Sequence, residues 1–165
     1  MNSIKAFFQN KTVRIILAVI AVPIFGFVLL GLTFLFDFLF QSALRRLLGF
    51  LVPLGPEPEM NLGWLPPLQH LSFAVVIILI SWLVLRLKIK TIFKAIWLTV
   101  PLAIIFATIG IFLYHWPIAV YSLSGLFLIG ILCYLYRTKR PWIYYYAAIL
   151  VAAVLAVFTL MGGEI

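Results

Sequence analysis

Outside three basic segments, and apart from Glu164, the tyrosines and Cys133, the side chains able to act as acid, base or anion ligand are few: Asp37, Arg45, Arg46, Glu57, Glu59, His70 and His115. Adjacent arginines suit a phosphate group, because a guanidinium presents several N–H donors in one plane. A carboxylate and a histidine beside them would orient such a group or move a proton. Arg45, Arg46, Asp37, His70 and His115 are therefore the candidate residues for binding a lipid headgroup or phosphate. Asp37, Gln41 and Arg45 follow one another at four-residue steps. On a continuous helix they stack on one face, with Gln41 between the two charges. The plainer reading is that charged residues at span ends simply meet the headgroups, with Asp37 solvated at the end of the first span.

Other chemistries fare worse. The segment Ser122-Leu123-Ser124-Gly125 resembles the G-x-S-G motif of rhomboid intramembrane proteases only in outline. Its leading glycine is replaced by Ser122, and both histidines precede Ser124, whereas those enzymes carry the base histidine on a later span. No catalytic residue is assigned. Cys133 is the only cysteine, so an intrachain disulfide and a cysteine-based zinc or iron-sulfur site are excluded. His70 and His115 lie on different connections without metal-ligand spacing, so no metal and no cofactor is expected. An ion or proton pathway calls for ionisable groups deep within spans, and the pattern shows none.

The elements that must position these residues follow from composition. Hydrophobic residues make up 66% of the chain and charged residues 10%, against roughly 45–50% and 25% in average soluble domains. Such a chain cannot cover itself with polar surface. A helix needs about 20 apolar residues to cross the hydrocarbon core, and residues 15–36, 68–85, 95–114, 117–136 and 142–161 are read as five spans in a single integral membrane domain. The first follows Lys5, Lys11 and Arg14 as a signal peptide would. Its apolar run exceeds the ~7–15 residues of a signal core and lacks a cleavage pattern, so it reads as a retained helix. Pro23 is expected to kink it.

Orientation comes from the cations. Ten of the twelve lysines and arginines fall in the N-terminal segment, in Arg86–Lys94 and in Arg137–Arg140. All three stand on one side if there are five spans. The other side receives Arg45, Arg46 and every acid, Asp37, Glu57, Glu59 and Glu164. The positive-inside rule then puts the N-terminus in the cytoplasm and the C-terminus outside. A net charge of +8 describes topology here and implies no nucleic-acid partner. The alternating Arg86, Lys88 and Lys90 suit anionic inner-leaflet lipids.

Between the first two spans, Gln41, Ser42, Arg45, Arg46 and Gly49 share one helical face of residues 39–51. This predicts an amphipathic helix lying in the outer interface, followed by a proline-rich outer loop over 53–67. Thr99, Ala103 and Ala107, and likewise Ala148, Ala152 and Ala156, repeat every four residues. Each set gives a flat face for helix packing or for a partner interface.

The expected fold is an all-α membrane protein: a five-transmembrane-helix bundle, N-in and C-out, with an amphipathic interfacial helix. The expected location is the cell membrane, read as a bacterial inner membrane. Tiny loops and the lack of a catalytic motif favour a non-enzymatic accessory or assembly subunit. It would contact membrane lipids and pack against a larger membrane protein partner or a second copy. The alternative is binding, transport or modification of a lipid or lipid-linked substrate at the outer leaflet.

Overall fold

A computed structural model describes residues 10–51 and 65–161. It consists of five helices: α1 (Lys11–Leu51), α2 (Leu65–Arg86), α3 (Thr91–Leu113), α4 (Pro117–Arg137) and α5 (Trp142–Leu160). All five are long and apolar enough to cross a bilayer. The expectations that fall on Lys5, Glu57, Glu59, Trp64, Glu164 and most of the outer loop lie outside the described residues.

Helix α3 is the hub and packs against each of the other four. Its large apolar side chains are exposed only near its ends, at Phe93 and Phe112. The other helices each leave a long apolar face uncovered, including Phe27 and Phe34 on α1, Leu79 on α2, Ile118 on α4 and Leu160 on α5. In α4 the single buried residue is Leu135. Polarity is therefore confined to the ends and to a few interior points, as a bilayer solvent requires.

The basic end of the bundle is well packed. Ala18 and Val22 of α1, Ala95 and Ile96 of α3, Leu135 of α4 and Ile143, Tyr144 and Ala147 of α5 form one core cluster. This cluster brings the start of α1, the α2–α3 turn and the α4–α5 turn to the same end, and with them Lys11, Arg14 and the cations of Arg86–Lys94 and Arg137–Arg140. The turns are closed locally. The Lys94 ammonium donates to the Leu85 carbonyl at 2.7 Å, satisfying a carbonyl in the last turn of α2. The Arg86 guanidinium lies 3.7 Å from the centroid of the Trp82 ring, a cation–π contact.

Pro23 sits inside α1 without interrupting it. A helical proline removes the N–H that would bond the carbonyl four residues earlier, here that of Val19. The Tyr146 hydroxyl of α5 donates to that carbonyl at 3.0 Å. The orphan acceptor created by Pro23 thus becomes a cross-link between the first and last helices. Three residues on, Gly26 lets α1 approach α3, where an added Cβ would stand 3.2 Å from Thr99 Oγ1.

One expectation changes. Residues 39–51 are not set off from the first span; α1 runs unbroken for 41 residues, roughly 60 Å at 1.5 Å per residue. The sequence between Phe36 and Leu51 contains neither proline nor glycine until Gly49. Tertiary packing also holds the helix on course, since Phe36 and Phe40 both stack on Phe73 of α2 with ring centroids 5.8 Å apart.

Candidate functional site

Beyond the Phe36, Phe40 and Phe73 cluster, α1, α2 and α3 bring polar residues together at the end away from the basic turns. Asp37 lies within α1, half-buried, and its Oδ2 accepts from Gln41 Nε2 at 2.9 Å. The same carboxylate is close enough for its charge to act on the His70 imidazole of α2. One position earlier, Gln69 is fully buried, and its Oε1 accepts from Arg45 Nε at 3.4 Å. His70 Nε2 meets Thr108 Oγ1 of α3 at 3.0 Å. The Thr108 hydroxyl also lies 2.7 Å from the Ile104 carbonyl, so its single proton can serve either that carbonyl or the His70 ring.

The helices explain why these residues meet. The four-residue spacing of Asp37, Gln41 and Arg45 aligns them on one face of α1. Helical side chains lean toward the N-terminus, so Arg45 reaches back toward that row. Helix α2 presents Gln69, Phe73 and Ile77, all buried, as a four-residue stripe in which the first member is polar. His70 and Thr108 each lie five residues inside the ends of their helices, about 7–8 Å by helical rise. The network is therefore set into the bundle and is more than a fringe of headgroup-facing charge.

Two of its atoms are buried and have no hydrogen-bond partner among the described residues: Asp37 Oδ1 and Gln69 Nε2. Leaving a buried amide donor unpaired costs about 1–3 kcal/mol, and a buried charged group costs more. One is a carboxyl oxygen and the other an amide donor. They call for complementary things.

Comparison with protein-family models, curated proteins and solved structures finds no match. The site is read from its own chemistry.

Of the residues singled out from the sequence, Asp37, Arg45 and His70 each belong to one of three hydrogen-bonded pairs at this end, with Gln41, Gln69 and Thr108 respectively. Arg46 is exposed and takes no part in them. His115 is also exposed, in the α3–α4 turn, with its ring stacked 3.7 Å from that of Tyr114. Gln69 and Thr108 complete the network without having been picked out as ligands; the visible signal was a glutamine beside a histidine inside an otherwise apolar helix. No group of three or more metal-ligand side chains occurs among the described residues.

The small-residue faces divide. Thr99 is buried opposite Gly26, Ala103 and Ala107 are half-buried, and Ala148 is fully buried with Leu102, Phe106 and Val151. Ala152 is half-buried, whereas Ala156 is exposed. Ala152 and Ala156 line a groove of about 410 Å³ between α4 and α5, together with Ser124 and Gly125.

Proposed function

We propose that this protein is a multi-pass protein of the cell membrane, read as a bacterial inner membrane, that binds the phosphate-bearing headgroup of a lipid or lipid-linked substrate. The site is the Asp37, Arg45, Gln69 and His70 network at the outer leaflet. The observation that carries this reading is Gln69. A fully buried amide whose Nε2 has no partner among the described residues, already bonded to an arginine, is an arrangement suited to an acceptor-rich ligand. Arg45 commits only its Nε in the described hydrogen bonds, leaving its terminal nitrogens for phosphate oxygens.

The orientation rests on the cations. With the three basic segments in the cytoplasm, the N-terminus is inside, the C-terminus outside, and the polar network faces the outer leaflet. Distances along the hub agree with this depth: Thr108 is fourteen residues from Lys94, about 21 Å, inside the far boundary of a ~30 Å core. The continuation of α1 then carries Arg45 and Arg46 toward the headgroups, where the interfacial role expected of residues 39–51 is served by a helix rising out of the span. Binding requires no covalent chemistry, and the reading is non-enzymatic.

The test is phospholipid retention by purified protein in mild detergent. Arg45→Gln should weaken phosphate-lipid binding roughly ten-fold or more, while Arg46→Gln leaves it nearly unchanged. Equal retention by wild type and Arg45→Gln would remove the proposal.

A second reading has its own observation. The alanine stripe of α5 passes from fully buried Ala148 to exposed Ala156, so its far end is left uncovered beside a groove. An accessory subunit docking on a membrane partner, or on a second copy, would use that end. Ala156→Trp should then abolish co-purification of the partner or shift the oligomeric state. A variant that keeps wild-type size and composition would argue against docking there.

A further inference from the structure

A second site lies at the opposite, basic end of the bundle and does not depend on the headgroup reading above. Between α1 and the α2–α3 turn runs a groove of about 590 Å³, walled by Ala21, Phe25 and Leu32 of α1 with Ile89, Phe93 and Trp97. We infer that it seats an acyl chain of an anionic phospholipid from the leaflet at the basic end, with the lipid phosphate held by Lys88 and Lys90.

The wall offers nothing to a polar occupant. Its side chains are all apolar except for Trp97 Nε1, and that donor is already bonded to Ser81. On α1 the lining residues Ala21, Phe25, Val28 and Leu32 follow one helical face over eleven residues, about 16 Å. That is close to the ~15 Å depth of one leaflet in a ~30 Å core. Phe25, Val28 and Leu32 are exposed, so the groove opens toward lipid.

Charge is set at its mouth. Ile89 lines the groove and is flanked in sequence by Lys88 and Lys90, so each lysine is rooted one Cα step, about 3.8 Å, from the wall. Both are exposed. The neighbouring cations are engaged, Lys94 with the Leu85 carbonyl and Arg86 with the Trp82 ring. Arg14, also exposed, stands seven residues before Ala21 on the same face of α1, about 10 Å nearer the basic end. Among the described residues the sole Asp or Glu is Asp37, at the far end, so no acid there competes for these cations.

The occupant follows from this pairing of apolar wall and basic rim. Leu87, Ile89 and Phe93 are exposed beside the lysines, which suits a segment set in the lipid interface better than a surface awaiting a soluble acidic protein. A twofold-related second copy would bring the same groove and the same lysines, setting like charges together. An anionic phospholipid supplies a chain for the groove and a phosphate for the lysines.

The experiment uses the full-length chain in phosphatidylcholine nanodiscs with a trace of phosphatidylglycerol carrying a diazirine on one acyl chain, the labelled residues being mapped by mass spectrometry. Labelling should concentrate on Phe25, Val28 and Leu32 and exceed that by a matched phosphatidylcholine probe roughly ten-fold. Lys88→Gln with Lys90→Gln should remove that preference. Arg137→Gln with Lys139→Gln, an equal loss of charge at the α4–α5 turn, which lends the groove no residue, should keep most of it. Equal labelling by the two probes, or equal loss in the two double variants, would overturn the site and leave only the charge of the whole end. Labelling indifferent to Lys88 and Lys90 would leave those lysines to an acidic protein surface and overturn the assignment as well. Val28→Trp should fill the groove and strip labelling from Phe25 and Leu32; labelling that persists there would place the chain elsewhere. The probe comparison uses wild-type protein, so it decides the question even if a variant fails to fold. Arg45→Gln should leave the pattern unchanged, which keeps this test apart from that of the Arg45 site.

Discussion

The two ends of this bundle handle buried polarity in opposite ways. At the basic end the polar groups are paired: the Val19 carbonyl freed by Pro23 receives the Tyr146 hydroxyl, Trp97 Nε1 donates to Ser81 at 3.0 Å, and Lys94 closes the Leu85 carbonyl. At the far end a fully buried glutamine and a half-buried aspartate each have one atom without a partner among the described residues. Both ends face the same apolar solvent, so unpaired groups are equally unfavourable at each. The contrast separates polar groups that hold helices together from polar groups that leave bonding capacity for something else.

That contrast can be broken by substitution. The largest loss of stability should come from Ala147→Leu, since Ala147 is fully buried in the basic-end cluster. Overpacking there should cost about 1–3 kcal/mol, read as a lower midpoint in thermal unfolding in detergent. Next is Tyr146→Phe, which keeps the ring and strands the Val19 carbonyl at a cost of about 1–2 kcal/mol. It should leave lipid retention unchanged. Thr108→Val removes the hydrogen-bond partner of His70 with little change of shape, and about 1 kcal/mol is expected, now with weakened headgroup binding. The smallest effect belongs to Gly26→Ala. Its new Cβ would press on Thr99 at 3.2 Å, and a gain in helix propensity of up to ~1 kcal/mol should nearly offset the crowding.

Much of the fold is legible in the sequence. Five apolar runs of spanning length and three basic segments suffice to place the helices and to bring Lys11, Arg86 and Arg137 to one end. The i, i+4 row of Asp37, Gln41 and Arg45 likewise anticipates the bond between Gln41 and Asp37. The interior was harder to read. In a bilayer the face toward lipid is as apolar as the face toward the core, so periodicity does not tell which side of α2 or α3 is buried. Gln69 gives no sign in sequence of being fully enclosed, nor Thr108 of standing beside His70. The separate interfacial helix was expected because the polar face of residues 39–51 reads as amphipathic. Residues 39–51 instead continue α1, with Phe36 and Phe40 packed on Phe73, a residue distant in the chain.

The most direct test compares Gln69→Leu with Tyr146→Phe in the same lipid nanodiscs, measuring thermal unfolding and phospholipid retention together. Leucine fills a similar volume, removes the unpaired amide, and leaves exposed Arg45 to be solvated by water and headgroups. Gln69→Leu should therefore melt no lower than wild type while losing most of its headgroup binding, as expected where a site trades stability for function. Tyr146→Phe should melt lower and bind normally. A Gln69→Leu variant that melts as low as Tyr146→Phe and still binds like wild type would contradict the account.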